Sequence, residues 1–279
     1  VTKLASTVAW LALLGCAHAA PATTPPPPPL RFQLRGVDVV SKSLDDLRKL
    51  GRERVTVTDP HEHRDIELEG VPATKLFDAV FGPAWRDAED VVATCQDGFH
   101  PSIPVKAFLE HDAYVAFARP DSGDFAIQES AAKRTNVGPY YVVWKRSERA
   151  DPPEPEWPYQ VTALEVTDFA TRFAVVIPPD GSTALAREGF ERFRTFCLPC
   201  HTINGRGGTS GPELNYPVNV TEYFAEPLLR EWIEDPQRVR WGAKMPMPLP
   251  PGDDRAHAID AVVAYLKTMA RAKRAPSAP

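Results

Sequence analysis

Two cysteines three positions apart, with a histidine directly after the second, form the densest chemical signal in the chain: Cys197-Leu198-Pro199-Cys200-His201. Thiols at this spacing can add to the two vinyl groups of one haem, while the adjacent imidazole coordinates its iron. The same residues could be half of a zinc site or a redox dithiol. A zinc site wants a second pair of ligands, and the only other cysteines are Cys16 and Cys95. A redox dithiol wants a βαβ setting, whereas this motif closes a helical stretch. Covalently bound haem c is therefore the expected cofactor.

The elements that must position these groups follow from hydrophobic periodicity. Residues 184–196 place Leu185, Gly189, Phe193 and Phe196 at helical spacing, and the helix runs straight into the motif. Residues 256–270 place Ile259, Val262, Val263, Leu266 and Met269 on one face of a closing helix. Ahead of them, Pro178-Pro179-Asp180-Gly181 is a turn signal and the expected domain boundary. Before that turn the chain is strand-rich, with alternating runs at 31–34 and 55–57 and further strands at 114–118, 140–144 and 161–166. Ser43 reads as the N-cap of a short helix, and 74–81 as a second helix ending at Gly82-Pro83. Residues 151–158 carry four prolines and read as a surface loop.

The C-terminal segment, 182–272, resembles a class I cytochrome c. The likeness rests on Gly189 and Phe190 in the first helix, the Cys-x-x-Cys-His motif, Gly211-Pro212, Trp232 to Pro236, Gly242-Ala243-Lys244-Met245-Pro246, and Tyr265-Leu266 in the last helix. The resemblance implies an all-α domain with His201 as proximal ligand, Pro212 orienting it and Met245 as distal ligand. Met247 is a rival for the last role, while Met269 belongs to the apolar stripe. Ligation by histidine and methionine fills both axial positions and suits electron transfer.

Residues 30–178 resemble, in shortened form, the molybdopterin-binding domain of the sulfite oxidase superfamily. The points of likeness are Leu34-Arg35-Gly36, Leu68-Glu69-Gly70-Val71-Pro72, Cys95-Gln96-Asp97-Gly98-Phe99 with Ile103-Pro104, Gly138-Pro139-Tyr140-Tyr141, and Trp157-Pro158-Tyr159. The resemblance implies an α+β, strand-rich fold. It also makes Cys95 a candidate molybdenum ligand, since a soft thiolate suits that metal. The other reading of Cys95 is a buried free thiol acting as a small hydrophobe. Basic residues that could hold a pterin phosphate (Arg119, Lys133-Arg134, Lys145-Arg146) are scattered. His61-Glu62-His63 follows Asp59-Pro60 and reads as a solvated loop rather than a metal site. His100 and His111 could line a pocket near Cys95; Asp97 and Glu110 lack an evident acid–base partner.

The first residues read as an export signal: Lys3, then an apolar run at 8–15, far short of the 18 or so residues a spanning helix needs. Ala17-His18-Ala19 is one cleavage site, giving a signal peptide of 1–19. Leu13-Leu14-Gly15-Cys16 resembles a bacterial lipobox and would instead leave a lipidated Cys16 as a membrane tether. A proline-rich linker at 20–29 and a tail at 273–279 complete the division.

With 43% hydrophobic and 25% charged residues in 279, the balance is that of a globular protein, and a net charge of −5 does not suit a nucleic-acid binder. Residues 1–181 carry −7 and residues 182–279 carry +2, a mild bias toward an acidic partner. Two functions compete. One is an exported, periplasmic electron carrier serving a periplasmic or membrane redox protein, its N-terminal domain a docking module. The other is a molybdenum-dependent oxidoreductase with Cys95 on the metal and the haem as internal relay.

Overall fold

A computed structural model describes residues 26–122, 124–130, 132–145, 156–252 and 254–276. The export segment with Cys16, most of the proline-rich linker, most of the 151–158 loop and the end of the tail lie outside the described residues. No described helix is long and apolar enough to cross a membrane.

The strand-rich part begins with β1 (Leu30–Leu34), β2 (Val37–Lys42), α1 (Leu44–Leu50), β3 (Glu53–Asp59), β4 (Arg64–Pro72), α2 (Ala73–Phe81) and β5 (Asp90–Cys95). It continues with β6 (Ser102–Pro104), α3 (Val105–Glu110), β7 (Ala113–Ala118), β8 (Ala126–Ser130), β9 (Lys133–Asn136), β10 (Tyr141–Trp144), β11 (Val161–Thr167) and α4 (Phe169–Phe173). The strands form a five-stranded sheet, β2-β1-β11-β5-β6, and a four-stranded sheet, β10-β7-β4-β3. Only β1 and β11 pair in parallel within these two sheets.

Local chemistry accounts for several of these elements. Ser43 caps α1, its Oγ accepting from the Asp46 amide while the Asp46 carboxylate accepts from the Ser43 amide. Along β10, Val142 and Trp144 face one core with Leu76, Phe77 and Phe108, whereas Tyr141 and Val143 face a second core with Val57 and Ile66. The four-stranded sheet is thus covered on both faces at β10, whereas its edge strand β3 keeps an exposed polar side at Arg54 and Thr56.

The five-stranded sheet differs. In β5, Val91, Ala93 and Cys95 point into the strand-rich core, while Val92 joins the helical core on the other face. Asp90 lies on that second face, bound to Arg194 of the next helix. So does Thr94, whose hydroxyl meets His100. One sheet therefore serves two cores.

The C-terminal part contains α5 (Ala184–Phe196), β12 (Thr202–Ile203), β13 (Arg206–Gly207), α6 (Val220–Tyr223), α7 (Glu226–Glu234), α8 (Pro236–Val239) and α9 (Arg255–Met269). It is helical apart from the two-residue ribbon of β12 and β13, which the all-α expectation did not include. The buried face of α5 is Ala186, Gly189, Phe190 and Phe193; Leu185 and Phe196 are only half-buried. At the α5–α9 crossing, a Cβ on Gly189 would lie 1.8 Å from the Ala261 carbonyl oxygen. Phe190 and Phe193 pack on Tyr265, whose hydroxyl donates to the Val176 carbonyl at 2.7 Å.

Phe169, Phe173 and Val176 belong to the helical core, ahead of the turn at 178–181. The cores thus divide near residue 168, although the turn marks where the chain changes character. Residues 273–276 pack back on the chain: the Arg274 amide donates to Asn204 and Lys273 pairs with Glu222.

One expectation needs correcting. His61-Glu62-His63 is a turn, but it is not solvated throughout, because the Glu62 side chain is almost fully buried. Its carboxylate takes hydrogen bonds from Arg119 and from the Gln128 amide, and pairs with Arg64. Burial alone would raise its pKa, yet these hydrogen bonds and the charge of both arginines hold it below the usual carboxylate value. Arg119 lies 57 residues away in sequence, too far for a local pattern to reveal the pair.

Candidate functional site

The end of α5 delivers the two thiols. Cys197 sits at its C-cap, in the helical core, and Cys200 follows on a turn closed by hydrogen bonds from the Cys200 and His201 amides to the Cys197 carbonyl. Neither cysteine is in a disulfide among the described residues. Burial, and then the neighbouring Cys200, push Cys197 up to about 12. Burial also raises Cys200, against a hydrogen bond with Ser210.

His201 is oriented by the loop that follows. Its Nδ1 lies 2.9 Å from the Pro212 carbonyl oxygen, which can only accept, so Nδ1 carries the ring proton. Nε2 is left with its lone pair, the form an iron ligand requires. The Pro212 carbonyl is thus the group that orients this ring. The loop is packed too tightly for side chains here: a Cβ on Gly211 would fall 2.5 Å from the His201 ring, and one on Gly208 would fall 1.9 Å from the Pro199 carbonyl oxygen.

Met245 lies in the loop after α8. Its Sδ accepts from the Trp232 indole N–H at 3.2 Å, and the residue is half-buried. Met247 is 59% exposed. Met269 is buried in the stripe of α9, as its spacing predicts.

Sequence reasoning missed a ladder of buried asparagines beneath this site. Asn219 donates to Asn215, which donates to Asn204; the ends reach the Leu266, Val175 and Ala272 carbonyls. Glu213 takes four backbone N–H bonds, from Asn204, Gly205, Asn215 and Tyr216. These contacts fix the loop between His201 and α6. Each residue alone looks like an ordinary loop asparagine or glutamate.

Two thiols, an imidazole with a free Nε2 and a thioether are donors whose chemistry would suit covalently attached haem. Among the described residues, no group of three histidines, cysteines or acids is gathered to hold a bare metal ion. A helical domain carrying this set is that of a c-type cytochrome. Residues 186–270 match the family model for cytochrome c. The C-terminal part is therefore a cytochrome c domain. A search of curated proteins found no match to the chain.

The surroundings of Cys95 do not fit a molybdenum pterin. Its side chain belongs to the strand-rich core and is 5% exposed. Burial, reinforced by Asp97, pushes the thiol well above its ordinary value, away from the thiolate a metal needs. The cavity beside it, about 370 Å³, runs between the two domains and holds one cation, Arg172, and one acid, Asp97. Arg172 is already paired with Glu165 at 3.0 Å. Of the scattered bases, Arg119 is committed to Glu62 and Asp121, Lys133 to Glu129, and Arg134 to Asp124, while Arg146 lies outside the described residues. His100 lines this cavity, and burial followed by the nearby Arg172 lowers it to about 4, so it is neutral. His111 and Glu110 line a separate cleft near Tyr114.

The segment Cys95-Gln96-Asp97-Gly98-Phe99 instead joins the two domains. The Thr209 amide donates to the Gly98 carbonyl, and the His100 amide to the Pro199 carbonyl, each at 2.8 Å. Gly98 has a φ of +87°, and a Cβ there would lie 2.5 Å from the Thr209 hydroxyl. Its glycine is needed for a turn that touches the haem-attachment loop. Buried Asp90 and Arg194 add an ion pair to the seam at 2.8 Å, and Arg194 stacks on Phe169.

Cys95→Ala is then expected to leave haem content and spectrum unchanged. It should cost only the roughly 1–2 kcal/mol of a small core truncation. Chemical denaturation with iron and molybdenum analysis checks this. A molybdenum content that vanishes with the thiol would restore the metal-ligand reading.

Proposed function

We propose that this protein is a single-haem electron carrier whose strand-rich domain is a scaffold clamped onto the haem-attachment loop. In this reading Cys197 and Cys200 hold the haem covalently, His201 binds iron through Nε2, and Met245 binds it through Sδ. The haem supplies a one-electron couple. The residues of the chain would hold and orient the haem.

The observation that carries the reading is the 2.9 Å contact between His201 Nδ1 and the Pro212 carbonyl. It presets the tautomer that leaves Nε2 free for iron. A haem held by both His201 and Met245 would supply electron transfer rather than binding of a substrate. The likeness of residues 30–178 to the sulfite oxidase superfamily enters this proposal at the level of fold only. Export, with either cleavage at the Ala-x-Ala site or a lipid on Cys16, belongs to the same proposal. It is supported by the apolar run at 8–15 and by the need to attach haem c where it matures. The mass of the mature N-terminus distinguishes the two cleavages.

Met245→Ala is expected to lower the reduction potential by more than about 100 mV, because a thioether favours the reduced iron and water or hydroxide does not. Met247→Ala should leave it within the error of the measurement. Redox titration followed by the optical spectrum decides between them. A fall in potential for Met247→Ala alone would move the distal ligand two residues along.

A further inference from the structure

The loop that presents the Pro212 carbonyl to His201 is held from both domains. Within the helical domain, the Gly208 amide donates to the Leu198 carbonyl and the Gly211 amide to the Cys200 carbonyl, at 2.8 and 2.7 Å. Between those anchors, the Thr209 amide donates to the Gly98 carbonyl of the strand-rich domain. Two residues further along the same turn, the His100 amide donates to the Pro199 carbonyl, inside the haem-attachment motif. The turn is itself stiff. It joins β5 to β6 and is closed by the Cys95 amide on the Phe99 carbonyl and the Gly98 amide on the Cys95 carbonyl. The Asp97 carboxylate takes the Phe99 amide at 3.0 Å.

Residues 98–100 therefore bridge two segments that must meet. Pro199 stands two residues before His201, and Thr209 three residues before Pro212. A staple across Pro199 and Thr209 fixes the separation of these segments, and with it the 2.9 Å contact of His201 Nδ1 with the Pro212 carbonyl. Donation from Nδ1–H to a carbonyl makes the other ring nitrogen a stronger donor to a metal. Stronger donation favours the oxidised iron and lowers the potential. Resting on the haem reading above, we propose that Gly98 is a positioning residue for His201, and that docking of the strand-rich domain lowers the reduction potential of the haem. The domain then regulates the redox couple as well as supporting it. Glycine is required because any larger residue displaces the staple. A Cβ at 98 would lie 2.5 Å from Thr209 Oγ1 and 2.8 Å from the Ser210 amide nitrogen, at a φ of +87°.

The test pairs Gly98→Ala with Gly36→Ala in the full haem-loaded protein. Gly36 also has a left-handed φ, +82°, but a Cβ there meets nothing within 4 Å. Both variants thus carry similar backbone strain, and only the first displaces the staple. Gly98→Ala should raise the potential in an optical redox titration. It should also speed exchange of the His201 Nδ1 proton about tenfold in proton NMR of the reduced protein. Gly36→Ala should change neither. A measurement on the wild type stands beside the variants and does not depend on Gly98→Ala loading haem. In native-state hydrogen exchange, the Thr209 and His100 amides and the His201 Nδ1 proton should open together, while the Gly208 and Gly211 amides stay closed longer.

An unchanged or lowered potential in Gly98→Ala overturns the proposal, whatever happens to its stability, and leaves the clamp merely structural. An equal rise in Gly36→Ala overturns it too, since strain anywhere in the strand-rich domain would then suffice. So does a His201 proton that opens with the Gly211 amide rather than with Thr209, because the helical domain alone would then hold the ring. A wild type lacking the reduced c-type absorption band rejects the haem reading itself, before any potential is measured.

Discussion

A chain with alanine at both Cys197 and Cys200 is expected to yield all of its haem to acid acetone and to show no haem stain after denaturing electrophoresis. The wild type should retain both. Each thiol is presented by backbone that does not depend on it: Cys197 by the last turn of α5, and Cys200 by the turn closed on the Cys197 carbonyl. Removing sulfur therefore breaks the attachment without dismantling the loop. His201 stays aimed by the Pro212 carbonyl in the double variant, so haem can still be coordinated, but only reversibly. Occupancy then follows mass action, and added haem should raise the melting temperature in a concentration-dependent way. Each single variant keeps one covalent bond and should still stain. Haem that survives denaturation in the double variant would have to be attached elsewhere, and Cys95 is the only other thiol among the described residues.

How far the site could be read from the chain depends on how local its chemistry is. Five consecutive residues encode attachment and proximal ligation, so that part was plain. Ser43 was legible for the same reason: its partner Asp46 is three residues away. The α5–α9 pair was legible from periodicity, because an apolar stripe states which side of a helix is buried. The joining of the domains was not. Alternation along β5 shows that Asp90, Val92 and Thr94 share a face, but a period of two cannot say what covers that face. Here it is the helical core, with Arg194 of α5 paired to Asp90 and stacked on Phe169 of α4. Gly98 was similarly opaque. Cysteine followed by a glycine turn matches a metal-binding pattern, and only the 2.5 Å approach of Thr209 shows that the turn serves docking. Glu62 depends on Arg119, 57 residues along the chain. The three asparagines lie within sixteen residues of one another, but the ladder ends on the Leu266 and Val175 carbonyls, 47 and 29 residues from the side chains that reach them, and no local pattern announces those anchors.

Gly189→Val is expected to be the most damaging single substitution outside the ligands. A Cβ at this position would sit 1.8 Å from the Ala261 carbonyl oxygen and 2.3 Å from its carbon, with Tyr265 Cβ at 3.0 Å. The first two obstacles are backbone of α9, so no rotamer change relieves them and the helices must separate. Separation uncouples Phe190 and Phe193 from Tyr265 and loosens the Tyr265 hydroxyl from the Val176 carbonyl. Overpacking against yielding side chains costs about 1–3 kcal/mol, and against rigid backbone the cost should exceed about 3 kcal/mol. In a protein of this size that corresponds to a melting temperature lower by roughly 6–12 °C or more. Because α5 also delivers Cys197, haem loading should fall together with stability, whereas Gly181→Val, at a turn where a Cβ meets nothing within 4 Å, should leave loading intact at a modest strain cost from its φ of +80°. Thermal unfolding and haem-to-protein ratios of the two variants test this. Equal losses would mean that the helix crossing is looser than its geometry indicates.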